Sequence, residues 1–164
     1  MIQPGEKLPS VPVKLVDANG VSDATTLEIL GKGRVVLFGV PGAFTPTCDT
    51  AHLPGFVAAA DKIKAVGIGR IVCAAVNDHH VVQAWAEHSE ALGKVDFIAD
   101  ARAEFAEALG LAKDFPHLGG RRFARFAMII KDGIVEKLFV QDVAGVTVSG
   151  APAILLALQG EAVQ

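Results

Sequence analysis

Apolar and polar residues alternate along Val11-Pro12-Val13-Lys14-Leu15-Val16, and the run ends in Asp17-Ala18-Asn19-Gly20. Alternation of period two closed by turn-forming residues predicts a strand entering a hairpin. The pattern then changes. Val35-Val36-Leu37-Phe38-Gly39-Val40 is continuously apolar, as a strand covered on both faces is. After a Pro-Gly break, Pro54 and Gly55 lead into a helical stretch to about Val66, in which Phe56, Ala59, Ala60 and Ile63 form one apolar face. Ile71-Val72-Cys73-Ala74-Ala75-Val76 repeats the buried-strand pattern, and Asn77 or Asp78 can cap a helix running to about His88.

A short strand from Val95 to Ala99 is expected next, then a helix from Ala101 to Leu109 with Asp100 as its cap, then a loop. Phe126 to Ile130 and Ile134 to Phe139 flank Lys131-Asp132-Gly133, a hairpin signal. A last helix begins near Pro152, a residue suited to a first helical turn. Strands alternating with helices predict an α/β fold, with a central mixed β-sheet flanked by helices and an N-terminal β-hairpin. No repeat or low-complexity tract interrupts the pattern, so residues 1–164 read as one domain.

Composition narrows the function. A formal charge of −3, with Arg121-Arg122 as the longest basic run, argues against a nucleic-acid partner. No apolar stretch approaches the ~20 residues that cross a bilayer, and Met1 to Lys7 lacks the basic flank and apolar run of a signal peptide. A cytoplasmic location is therefore expected. Two cysteines, Cys48 and Cys73, are too few for a disulfide scaffold or for a metal site of their own. Each is either core filler or a reagent.

Cys48 has the setting of a reagent. Pro41-Gly42-Ala43-Phe44-Thr45-Pro46-Thr47-Cys48 follows a buried strand and precedes a helix, so it emerges at the carboxyl end of the sheet, where α/β proteins bind ligands. With Thr47 as helix cap, Cys48 falls in the first turn, where free N–H groups and the helix dipole stabilise a thiolate. Thr45 carries a hydroxyl three residues away, and Arg121, Arg122 and Arg125 are candidate cations.

Pro41-x-x-x-Thr45-x-x-Cys48 resembles the peroxiredoxin active-site motif. The longer run from Pro41 to Cys48, continuing to His52-Leu53-Pro54-Gly55-Phe56, is similar to the type II (fifth) subfamily. The likeness continues in Val76-Asn77-Asp78, in Arg122-Phe123-Ala124-Arg125-Phe126-Ala127-Met128 and in Lys131-Asp132-Gly133. The resemblance implies a thioredoxin-like fold and a thiol peroxidase that needs no cofactor or metal. It implies that Cys48 is oxidised by the peroxide, Thr45 orients it, Arg125 lies beside the thiolate and Pro41 shields the sulfur. Hydrogen peroxide and alkyl hydroperoxides are the implied substrates. A sulfenic acid on Cys48 is then recycled by glutaredoxin with glutathione, or by thioredoxin. A homodimer packed near the active site is implied as well.

The chain departs from the family at two places. Members that resolve internally carry a second cysteine in a segment matching Gly145-Val146-Thr147-Val148-Ser149, where this chain has Val148. Cys73 lies mid-strand and reads as a packing residue, with an occasional resolving role as the other possibility, since its spacing from Cys48 resembles plant-type relatives. Asp49 stands where relatives often have serine, and its charge suits a helix start but opposes ionisation of the adjacent thiol.

Plainer roles compete elsewhere. Thr45 and Pro41 can serve as turn residues, Arg125 can be a surface ion-pair partner with Arg122 as the functional cation, and His52 reads as helix packing before tuning of the thiol. His79-His80 lacks partners at metal-ligand spacing, Gly67-Ile68-Gly69 has the wrong context for a dinucleotide loop, and Trp85 reads as core or interface. The competing function is a non-catalytic redox-sensing or holdase module. A disulfide oxidoreductase is disfavoured because no Cys-x-x-Cys occurs.

Overall fold

Strand pairing follows the hydrophobic pattern. The computed structural model describes residues 1–141 and 146–162, with the backbone alone at Thr50, Glu161 and Ala162. The chain runs β1 (Pro12–Asp17), β2 (Gly20–Thr25), α1 (Thr26–Leu30), β3 (Arg34–Val40), a π-helical turn (Cys48–His52) and α2 (Leu53–Ala65). It continues through β4 (Arg70–Ala75), α3 (His79–His88), β5 (Asp96–Ala99), α4 (Glu104–Leu109), β6 (Ala112–Phe115) and β7 (Gly120–Phe123). β8 (Phe126–Lys131), β9 (Ile134–Val140) and α5 (Ala151–Ala162) complete it.

The main sheet has the order β2-β1-β5-β4-β3-β8-β9. β5, β4 and β3 are parallel, while β8 and β9 extend one side antiparallel. The N-terminal hairpin is part of this sheet, because β1 pairs antiparallel with β5. The continuous apolar run in β3 is explained by cover on both faces. Val36, Phe38 and Val40 belong to a layer with Phe56 and Ile63 of α2 and Ile154 of α5, whereas Val35 and Leu37 pack in a second layer with Leu30, Phe105 and Leu109.

Two features of β3 position the site. Its carboxyl end delivers Pro41 and the segment to Cys48 at the same edge as Val76, just beyond β4. Opposite, Gly39 pairs with Phe126, so Arg125 sits at that edge too. A Cβ on Gly39 would come within 2.1 Å of the Phe126 ring, so the close crossing of ring over strand requires glycine.

Some local expectations change. The helix expected from Ala101 begins at Glu104, because the Asp100 carboxylate accepts from the N–H groups of Phe105 (3.1 Å) and Ala106 (2.9 Å) after a turn through Ala103 at φ 59°. The stretch expected as a loop contains the β6–β7 hairpin. Asp78, rather than Asn77, caps α3 by accepting from the Val81 N–H.

Candidate active site

Between β3 and α2 the backbone is tightly constrained. Phe44 adopts φ 63°, and the Thr45 hydroxyl donates to the Gly42 carbonyl at 2.7 Å, closing a turn over residues 42–45. That bond uses the hydroxyl proton and leaves its oxygen lone pairs as acceptors. Thr47 is not the cap: it is already helical and its side chain makes no capping bond. The Asp49 N–H instead donates to the Thr45 carbonyl, at 2.9 Å. From Cys48 the helix widens by one residue, the Leu53 N–H reaching back to the Cys48 carbonyl, and π-turns of this kind often mark functional sites.

The Cys48 side chain is completely buried, yet its sulfur is not sealed in hydrocarbon. Nη2 of Arg125 donates to Sγ at 3.0 Å, and Nη1 of the same guanidinium donates to Nδ1 of His52 at 2.8 Å. Nε2 of His52 lies 2.8 Å from the Ser149 carbonyl oxygen. A carbonyl only accepts and a guanidinium only donates, so Nε2 carries the proton and Nδ1 is the acceptor. His52 is therefore neutral. Burial chiefly, and the Arg125 charge besides, hold its pKa down to about 3, against the pull of the Ser149 carbonyl. Sequence reasoning read His52 as packing; the four-residue spacing from Cys48 was the signal for more.

Neutral burial of His52 makes stability depend on pH. Its folded pKa of about 3 lies below the ordinary value of 6.5, so the unfolded chain takes up a proton that the folded chain excludes. His52 leaves stability unaffected above that ordinary value and removes it progressively as pH falls towards the folded one. Denaturant titrations between pH 7 and 4 should show stability falling with a slope approaching one proton, about 1.4 kcal/mol per pH unit. His52→Gln should lose that slope.

The other candidates separate cleanly. Arg121 is turned away, paired with Glu107 and Asp114. Arg122, in β7, reaches across to the Pro41 loop, its guanidinium donating to the carbonyls of Pro41 (3.3 Å) and Leu118 (3.1 Å). Pro41 itself is buried. Asn77 accepts from the Ala43 N–H at 2.9 Å, and the Asp49 carboxylate accepts from the Trp85 indole N–H at 2.9 Å, two contacts that sequence alone does not reveal. Cys73 pairs in register with Phe38, is free and fully buried, and its thiol pKa is pushed well above the ordinary value by burial first and by Cys48 second. Val148 is exposed, while Gly145 of the same run lies outside the described residues. No cluster of metal-binding side chains occurs among the described residues, and no helix there is long and apolar enough to cross a membrane.

A sulfur held by a charge-assisted donor at the mouth of an α/β sheet, three residues after a threonine whose hydroxyl oxygen keeps acceptor capacity, is equipped for nucleophilic attack on a polar bond. Comparisons with known proteins agree. The redoxin family model matches residues 3–155. Peroxiredoxin-2D of Arabidopsis thaliana is 38% identical over 156 residues, covering 94% of this chain and 96% of that protein. The hybrid peroxiredoxin hyPrx5 of Haemophilus influenzae is 38% identical over 138 residues, 84% of this chain and 57% of that protein. Among solved structures, reduced Prx3 of Vibrio vulnificus in complex with H2O2 superimposes with a TM-score of 0.93 at 41% identity, covering 100% of both chains.

Proposed function

Since this chain belongs to the redoxin family and is a thiol peroxidase of the type II peroxiredoxin kind, we propose that its reaction runs through Cys48. The thiolate attacks one peroxide oxygen; the S–O bond forms as the O–O bond breaks, and water or an alcohol leaves after taking up a proton. Sulfur is oxidised by two electrons to a sulfenic acid and the peroxide is reduced by two. A thiol then attacks that sulfur, an S–S bond forms and water leaves. A second thiol releases Cys48 and carries away the disulfide.

The carrying observation is the 3.0 Å contact from Arg125 to Sγ. The guanidinium stabilises the anionic sulfur and then the charge that grows on the departing oxygen. Thr45 is suited to accept the hydroperoxide O–H through its lone pairs, and the role proposed for buried Pro41 is to shield the sulfur from water. Hydrogen peroxide and alkyl hydroperoxides are the proposed substrates; the Vibrio vulnificus neighbour, solved with H2O2, supports the first. Glutaredoxin with glutathione, or thioredoxin, is the proposed reductant, and the cytoplasm, where such thiols are kept reduced, the proposed location. We also propose a homodimer, which equilibrium sedimentation tests by mass.

Reduced protein mixed with a slight excess of hydrogen peroxide should consume one equivalent within the mixing time and gain one oxygen in mass. Slow consumption would favour the redox-sensing module instead. Cys73→Ser should keep most of the turnover supported by glutaredoxin and glutathione, because that thiol is buried and held protonated. Loss of turnover with the first oxidation intact would make Cys73 the resolving residue.

A further inference from the structure

The Cys48 turn lies along α3 and is held by it at several points. Ahead of the helix, Asn77 accepts from the Ala43 N–H at 2.9 Å. At its far end the Phe44 and His88 rings are 5.7 Å apart. Between them the Trp85 indole N–H donates to Oδ1 of Asp49, the residue directly after Cys48, at 2.9 Å. Trp85 is completely buried and packs edge-on against Phe97 at 5.9 Å, so this end of the bond is fixed in the core. Asp49 is half-buried and rides on the turn. A buried indole N–H needs an acceptor, and a carboxylate is a strong one.

The sulfur itself is fully buried, yet a thiol reductant, much larger than a peroxide, must reach it. The turn has to loosen for that step. We propose that Asp49 is a positioning residue: its hydrogen bond to Trp85 holds the Cys48 turn wound, and release of that bond limits how fast an external thiol reaches oxidised Cys48. This rests on the peroxidase reading. It also assigns a purpose to a carboxylate beside a thiolate, where its charge alone is unfavourable.

Glutathione is the probe. Each protein is oxidised with one equivalent of hydrogen peroxide and mixed with glutathione at several concentrations, and the mixed disulfide on Cys48 is followed by intact mass after acid quench. Asp49→Ala and Trp85→Phe should each accelerate its formation by roughly threefold to tenfold, the range one hydrogen bond is worth. The double variant should gain no more than either single one. Asp49→Asn, whose amide oxygen still accepts from the indole, should stay near the parent. The peroxide step, measured on the same samples, should change much less.

Reduction rates within twofold of the parent for both Asp49→Ala and Trp85→Phe would overturn the proposal. So would an Asp49→Asn variant as fast as Asp49→Ala, since charge and not the hydrogen bond would then be at work. If Trp85→Phe fails to fold by circular dichroism, the pair Asp49→Ala and Asp49→Asn decides alone. A parent that does not react with peroxide defeats the peroxidase reading, a different failure.

Discussion

Cys48→Ser is expected to abolish fast peroxide consumption, with a loss on the order of 10⁴-fold or more, the scale seen when a covalent nucleophile is removed. A serine hydroxyl is not ionised near neutral pH and does not take up an oxygen atom from a peroxide. The fold should survive, because the hydroxyl can still accept from Arg125 in place of the sulfur, whose contact is 3.0 Å. Cys73 cannot substitute, being fully buried with its thiol held protonated. Competition against a second peroxidase for limiting hydrogen peroxide gives the rate, and circular dichroism controls for folding. A variant that competes as well as the parent removes Cys48 from the mechanism.

Arg125→Gln should lower the second-order constant for peroxide by about 10²–10³, as loss of one preorganised donor to a developing oxyanion does elsewhere. Arg125→Lys should recover little of it. The guanidinium reaches Sγ with one nitrogen and His52 Nδ1 with another, at 3.0 and 2.8 Å, and a single ammonium lacks that fork. The same competition measurement serves, since it reports the second-order constant directly. A loss smaller than tenfold in Arg125→Gln would show that the cation is dispensable.

The parts of this molecule legible in its sequence are those where one local rule dominates. β3 and β4 read as buried strands because their apolar runs are covered on both faces, β8 and β9 read as a hairpin from the turn between them, and the cap of α3 reads as Asn77 or Asp78 because that role needs only the next three residues. The β6–β7 hairpin stayed hidden because Ala112-Lys113-Asp114-Phe115 and Gly120-Arg121-Arg122-Phe123 are largely polar and show little alternation. The π-turn at Cys48 has no residue signature, being defined by a hydrogen bond that skips one residue further. In the site, the motif pointed to Cys48, Thr45 and Pro41. The choice of Arg125 over its neighbours came from family likeness, and the register of β8 on β3 accounts for it physically. Contacts such as His52 with Ser149 and Asp49 with Trp85 join residues 97 and 36 positions apart, which no local pattern encodes.

The pairing of Gly39 with Phe126 makes the sheet a ruler for charge placement. Side chains alternate between faces along a strand, so adding or deleting one residue between Arg125 and Ile129 would swing the guanidinium to the opposite side and leave the thiol without its counter-charge. The register shift between β8 and β9 falls where Ile129 pairs with Lys137 and Ile130 with Val135, so the extra residue is Glu136 of β9 and the pairing of β8 with β3 is unbroken. Length changes in this protein should therefore not be tolerated on the inner side of that hairpin.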